Sequence, residues 1–292
     1  MSVSNSRLRL FASIEPGDTF WSEEISKHGA DEVLARIVSE KFYLRHPAIT
    51  RLSTEVKTLN GAQLLSEIHA AGGEFISPED SDWPVQLDDL VSPPIGLIIK
   101  GDRKLLPLIE NSIAIVGTRN PTSYGIRVSG ELAAAMCDRE FAMVSGGAYG
   151  VDTAAHKGAL AADGVTVAVL GGGISSLYPS GNIKMFQEII EKGLLCSEVM
   201  PGVPAQPFRF LIRNRLIAAL SRATVVTEAA FRSGSIRTAR DAAEILRPVF
   251  AVPGPITSPL SDGCHRLIAE RVAEIATSVD EILEMVMPLH LR

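Results

Sequence analysis

The chain has 292 residues and a net charge of −6, with 46% hydrophobic and 21% charged residues. That apolar content can fill a sizeable core and excludes a wholly disordered chain, and the length suits one large domain plus a smaller one. No apolar run approaches the roughly 20 residues of a membrane span, the opening segment lacks a secretory signal, and Cys137, Cys196 and Cys264 stand far apart without a CxxC. No membrane contact, disulfide framework or metal site is therefore expected, and the cysteine usage suits a reducing cytoplasm.

Residues 1–100 carry the whole negative excess, with nine Lys and Arg against fifteen Asp and Glu. This part reads as helical: Asp18 to His28, Asp31 to Phe42, and a helix opened by Asn60-Gly61 that runs to Ala71 before Gly72-Gly73 stops it. Pro78, Trp83-Pro84 and Pro93-Pro94 punctuate a connector that leads into a buried-type strand, IGLIIKG, ending at Gly101. The boundary is placed near residue 75, giving a helical N-terminal domain over 1–75 and a larger domain over 76–292.

From Ile113 six short apolar runs recur: 113–117, 141–147, 166–173, 194–199, 223–228 and 248–254. Segments of helical period separate most of them, such as Ile126 to Arg139 and Ile236 to Leu246, and the tail after Val279 reads as one last helix. Continuous apolar strands alternating with helices predict an α/β fold: a doubly wound, mostly parallel sheet covered on both faces.

Ligands of such sheets bind beyond the carboxyl ends of the strands, where helix N-termini present free N–H groups. Four of these ends are rich in small residues: Gly117-Thr118-Arg119, Ser145 to Gly150, Gly171 to Gly173, and Ser233-Gly234-Ser235. One such loop needs no more than a tight turn, but four on one edge suggest a floor of backbone N–H groups suited to phosphates. Arg119, Arg213, Arg215 and Arg232 add charge nearby. Residues 205–247 hold eight Arg, no Lys and three acids, so a chain of negative net charge can still present a positive face.

Enzyme signatures are thin. GxGxxG is missing after the first strand and no acid ends the second, against a dinucleotide cofactor; GxxxxGK[ST] and HExxH are absent too. Asp152 and His156, spaced i, i+4, are more simply structural than catalytic. Glu198 and Glu228 end two strands and could pair as a glycosidic hydrolase dyad, though no activated nucleophile accompanies them. Arg237–Asp241 and Arg240–Glu244 read as outer-face ion pairs. No cofactor, metal or catalytic residue is assigned.

The ordered motifs IVGTR (115–119), SGGAYGVDTAAH (145–156), AVLGGGISSLYP (168–179), SEVMPG (197–202), RNRLIAALS (213–221), EAAFRSGSIRTA (228–239), FAVPG (250–254) and DGCHRLI (262–268) closely resemble the DNA-processing protein A family, also called DprA or Smf. The stretch 83–102 matches that family's entry segment, and the resemblance spans about residues 80–270. It implies an extended Rossmann-like domain that is not an enzyme. Such a domain binds single-stranded DNA, protects incoming DNA during transformation, loads the RecA recombinase, and forms a homodimer.

Carried onto this chain, the resemblance assigns DNA contact to Arg119, the Gly146-Gly147-Ala148-Tyr149-Gly150 loop, Arg213-Asn214-Arg215 and Ser233-Gly234-Ser235. The expected dimer joins through about Ser221 to Ala276, where a tail with apolar residues at 264, 267, 268, 272, 275 and 279 offers Ile268 and Ile275. Three departures stand out. Leu211-Ile212 replace the usual Pro and variable residue before RNR. Tyr149 takes a spot often basic or aliphatic, where it can stack on a base or fill space. The family's frequent C-terminal winged helix is not expected. A runner-up of another class, the nucleotide phosphoribohydrolases, needs a PGGxGTxxE string that does not occur; a nucleotide-sensing module is the third reading.

Overall fold

A computed structural model describes residues 5–39 and 49–287. Among them the chain opens with five helices: α1 (Asn5–Ser13), α2 (Thr19–His28), α3 (Ala30–Val38), α4 (Ile49–Thr58) and α5 (Gly61–Ala70). Asp18 caps α2 by accepting from the Trp21 N–H, and Asn60 caps α5 by accepting from Ala62 and Gln63, so the side-chain cap signals mark both starts. The expected helix to Phe42 ends at Val38, and Phe42 itself lies outside the described residues. Helices α1 and α4 are additional to those the sequence reading delimits.

These helices form their own small core around Leu10, Trp21, Val33, Ile37 and Val56. Leu8 and Phe11 of α1, with Leu64 and Ile68 of α5, instead join a cluster that includes strand residues Ile98, Ala168 and Leu195. The N-terminal helices are thereby packed onto the flank of the sheet by apolar burial.

The sheet begins with β1 (Glu74–Ile76) and β2 (Leu97–Gly101). It continues as β3 (Ser112–Val116), α6 (Ser123–Cys137), β4 (Ala142–Ser145), α7 (Val151–Ala161), β5 (Thr166–Val169), α8 (Ile183–Lys192), β6 (Leu194–Ser197), α9 (Pro207–Leu220), β7 (Ala223–Val226), α10 (Gly234–Glu244), β8 (Val249–Ala251), α11 (Asp262–Ala269), β9 (Glu274–Ile275) and α12 (Val279–Val286). Strand order is β1-β2-β6-β5-β4-β3-β7-β8-β9. All pairs from β6 to β9 are parallel, whereas β2 runs antiparallel to both β1 and β6. The mostly parallel α/β fold is therefore as the periodicity predicts.

Alternate strand residues serve opposite faces. Ile113 and Ile115 pack with Ala133, Val151 and Ile282 from α6, α7 and α12. Ala114 and Val116 pack with Leu216, Ile236 and Leu267 from α9, α10 and α11. The chain winds from β3 outward to β6, then crosses back to β7 on the other side of β3. Such a reversal opens a crevice at the carboxyl ends of the two strands, the usual ligand position in this architecture.

The last helix expected after Val279 is α12, whereas the apolar positions from 264 to 279 are divided between α11, β9 and the start of α12. Arg271, with φ of 58°, turns the chain between α11 and β9. Cys264, Leu267, Ala273, Ala276 and Val279 are buried in the protein's own core, and Ile268 is packed against it. Ile275 alone of the two isoleucines named for assembly is half-exposed, on the outermost strand.

Candidate nucleic-acid interface

The four small-residue loops follow four contiguous strands, β5, β4, β3 and β7. Two glycines have backbone requirements: Gly147 (φ 68°) and Gly150 (φ 85°) occupy the left-handed region, and a Cβ on Gly150 would strike the Thr118 carbonyl. Asp152 folds this loop back, its Oδ2 accepting from the Gly146 N–H at 3.1 Å and the Ala148 N–H at 3.3 Å. Asn182 fastens the same loop by donating to the Gly147 carbonyl at 3.0 Å.

The expected open floor of N–H groups is partly filled. Arg213 lies over Gly146, and Phe210 lies over Gly171, in the spaces where side chains would be. Gly172 and Gly173 are covered by the backbone between Met200 and Ala205. What stays open is a cleft of about 270 Å³ at the crossover, lined by Gly117, Arg119, Ala148, Asp152, Phe210, Leu211, Arg213, Asn214 and Ser233-Gly234-Ser235. Most of the expected contact residues are thus brought to one place. Tyr149 is exposed beside it, its hydroxyl accepting from the Gly181 N–H at 3.1 Å.

The arginines divide into different roles. Arg119 is exposed and, among the described residues, makes no hydrogen bond or ion pair; its guanidinium lies 5.4 Å from the Phe210 ring centroid. Arg213 is buried, donates to the Val169 carbonyl, and lies 5.9 Å from the same ring. Burial pulls Arg213 down to about 10, with the neighbouring charge of Asp152 opposing and that of Arg119 adding to the effect. It stays charged at neutral pH, so two cations share one aromatic ring at the mouth of the cleft.

Arg215 is not brought into the cleft, contrary to its grouping with Arg213 in the RNR string. Its side chain pairs with Glu198 at 2.6 Å, both groups largely buried, near Gly17 of the α1–α2 loop. Asn214 lines the cleft but is buried, donating to the Gly234 carbonyl at 3.3 Å. Ser233 caps α10, its hydroxyl accepting from the Ser235 N–H and meeting the Ser235 hydroxyl at 2.8 Å, and Ser233, Gly234 and Ser235 line the opening at that helix N-terminus.

The carboxylates do not form a dyad. Glu198 and Glu228 follow β6 and β7, four strand spacings or about 19 Å apart. Glu228 accepts from the Thr122 hydroxyl at 2.6 Å and from the Thr122 N–H at 2.8 Å, tying down the loop that carries Arg119. Asp152 and His156 serve different partners as well. His156 Nδ1 lies 2.7 Å from Thr166 Oγ1, which donates its proton to the Met143 carbonyl, so the imidazole is the donor there. Complete burial pushes His156 down to about 3 and raises Asp152, which the charge of Arg213 opposes. Arg237 does pair with Asp241 at 2.6 Å, whereas Arg240 reaches Glu270 at 3.0 Å and not Glu244. Among the described residues no cluster of metal-ligating side chains occurs, and no helix is long and apolar enough to cross a membrane.

Residues that sequence reasoning missed are Thr122, Asn182 and above all Phe210 and Tyr178. Their ring centroids are 5.6 Å apart, and both stand on the same edge as Arg119. Their signal was available as aromatic side chains inside quoted or adjacent motifs.

Fold and cleft define an extended Rossmann-like protein whose ligand edge is built of small-residue loops and arginines. The family model for DNA recombination-mediator protein A matches residues 74–287, and the chain belongs to that family. It is 44% identical over 226 residues to the putative DNA processing protein DprA of Mycobacterium tuberculosis, a match that covers 74% of this chain and 58% of that protein. It is 41% identical over 204 residues to DNA processing protein DprA of Streptococcus pneumoniae, covering 70% and 71%. The chain spans a little over half the length of the mycobacterial relative. The crystal structure of the Streptococcus pneumoniae protein superposes with a TM-score of 0.84 and 32% identity, over 99% of this chain and 100% of that one. DNA processing protein A of Helicobacter pylori, whose structure describes a single-stranded DNA binding mode, gives a TM-score of 0.65 and 31% identity over 74% and 96%.

Proposed function

We propose that the protein binds single-stranded DNA with little sequence preference along this edge, without catalysis. The observation that carries the reading is the pair Arg119 and Arg213: two guanidiniums on one ring, mutually repelling, beside the N-terminus of α10. An anion seated between them relieves that repulsion and meets helix N–H groups, as a backbone phosphate does. The cationic groups that line the cleft are guanidiniums beside a helix N-terminus, which fit the phosphates of a strand and not the edges of paired bases. The other assigned residues support this in unequal ways: Gly146, Gly147 and Gly150 shape the loop, Tyr149 stands exposed, Ser233-Gly234-Ser235 form the wall, Asn214 holds that wall, and Arg215 braces α9 from behind.

In the cell this binding would protect incoming DNA and deliver it to the RecA recombinase in the cytoplasm, in keeping with the family's description as a recombination mediator. The protein would act as a homodimer joined through the β8–β9 side, where the outermost strand exposes Ile275. A direct test adds purified protein to a labelled single strand, then measures exonuclease resistance and the rate of RecA filament growth. Both rise if the reading holds. Release of ribose phosphate from nucleoside monophosphates, with no protection of the strand, would favour the hydrolase reading instead.

A further inference from the structure

No residue of the N-terminal helices lines the cleft, yet the loop between α1 and α2 is seated on α9, the helix that forms one of its walls. Resting on the reading of the cleft as a DNA site, we infer that this loop positions α9 for binding, with Gly17 as the contact that sets the helix in place. The N-terminal domain then works as part of the site without touching DNA. Side chains on α9 fall on two faces. Phe210, Arg213, Asn214 and Ile217 line the cleft, whereas Arg209, Ile212 and Arg215 meet the loop.

Three contacts make the seat. Glu15 accepts from Arg209 Nε at 3.1 Å and from its Nη2 as well. Pro16 borders a small gap shared with Gly171, Ile212 and Arg213, so it reaches the base of a cleft-lining residue. Gly17 makes the closest approach. Its φ of 78° is left-handed, and a Cβ there would stand 2.8 Å from Ile212 Cγ2, inside the 3.4 Å at which ordinary contact begins, and 3.6 Å from Arg215 Nε. Arg215 depends on this packing: it donates to Glu198 at 2.6 Å, while its Nε and Nη1 are buried with no hydrogen-bond partner among the described residues. The loop is held at both ends, because its flanking helices are tied to the segment before β2. Arg7 of α1 donates to the Ile95 carbonyl and Ser22 of α2 to the Pro93 carbonyl, each at 2.9 Å. The far side of α9 is closed by its own buried residues Leu216 and Leu220, packed with the sheet. A push on Ile212 is thus passed along the helix to Phe210 and Arg213, since a close-packed interior transmits strain.

The test uses two glycines of the same domain with the same backbone conformation. Gly17 and Gly29 both have φ of 78°, but a Cβ on Gly29 meets nothing within 4 Å. Alanine therefore strains the backbone alike at both positions and presses on α9 only at Gly17. In fluorescence anisotropy with the full chain and a labelled thymidine oligonucleotide, Gly17→Ala should bind at least about 5-fold more weakly than Gly29→Ala, the lower end of coupling between sites. In an Ile212→Ala background, where the opposing Cγ2 is gone, adding Gly17→Ala should cost no affinity, a rescue that a general loss of stability would not show. Equal binding by Gly17→Ala and Gly29→Ala overturns the inference, and so does a Gly17→Ala loss that persists in the Ile212→Ala background. Should Gly17→Ala fail to fold, hydrogen exchange of the wild type decides. Coupling is reciprocal, so saturating oligonucleotide should slow the amides of Gly17 to Trp21, and unchanged exchange there overturns the seat. If the wild type itself does not bind the oligonucleotide, the reading of the cleft falls and the inference with it.

Discussion

The guanidinium of Arg119 rests 5.4 Å from the centre of the Phe210 ring and, among the described residues, has no carboxylate partner. An exposed cation left unpaired beside a cleft is available to a phosphate without first breaking an ion pair. Arg119→Ala should therefore weaken oligonucleotide binding and lower the salt slope by about one unit. Its melting temperature should match that of the wild type. Arg240→Ala serves as the control, since Arg240 is engaged with Glu270; its affinity should be unchanged. A fluorescence anisotropy titration at several salt concentrations reads both.

Arg213 behaves differently. The sequence suggests that its removal weakens binding without unfolding, but the side chain is buried against the Val169 carbonyl and counters the charge of Asp152. Arg213→Ala should lower folding stability by about 3 kcal/mol, the range for stripping one partner from a buried charged group. Urea denaturation measures this, and a stability within 0.5 kcal/mol of the wild type (roughly the scatter of surface substitutions) would show that the guanidinium is not needed by the fold.

His156 predicts an acid limb. Its native value is pushed down to about 3 from an ordinary 6.5, so below pH 6.5 the unfolded chain takes up a proton that the folded one refuses. Stability from this group is thus fully present above pH 6.5 and lost as the pH falls toward 3, at up to about 1.4 kcal/mol per pH unit. Asp152, raised by burial, acts with the opposite sign, so the comparison must be between variants. His156→Gln should flatten the decline between pH 6 and 4 in urea melts; an unchanged slope contradicts the assignment.

Ile275 tests assembly. It is half-exposed on the edge strand, so Ile275→Asp should leave the monomer folded. Sedimentation should show the dimer lost, and DNA affinity should drop because one assembly no longer grips a strand twice. A wild-type monomer at micromolar concentration would remove the dimer from the account.

Much of the architecture was legible because six apolar runs of five to eight residues announce buried parallel strands. Strands β1 and β9, three and two residues long, give no such signal. The tail misled because its apolar spacing is continuous, while the turn at Arg271 uses a left-handed residue that is not glycine. The loops of the site were legible as small-residue clusters, since their conformations demand glycine at Gly147 and Gly150. The fate of the arginines was not. The string Arg213-Asn214-Arg215 looks uniformly basic and exposed, yet Asp152, Val169 and Glu198, distant in sequence, decide that one guanidinium lines the cleft while buried and another turns away from it.

The central claim is that the cleft holds single-stranded DNA through its phosphates. It is tested most directly by titrating the purified protein with one oligonucleotide, as a single strand and as a blunt duplex, at 50 and 200 mM salt (roughly the span over which counterion release separates electrostatic binders). The account predicts tighter binding to the single strand at both concentrations, with affinity falling as salt rises. Equal or tighter binding to the duplex, or affinity for the single strand that is indifferent to salt, would contradict it.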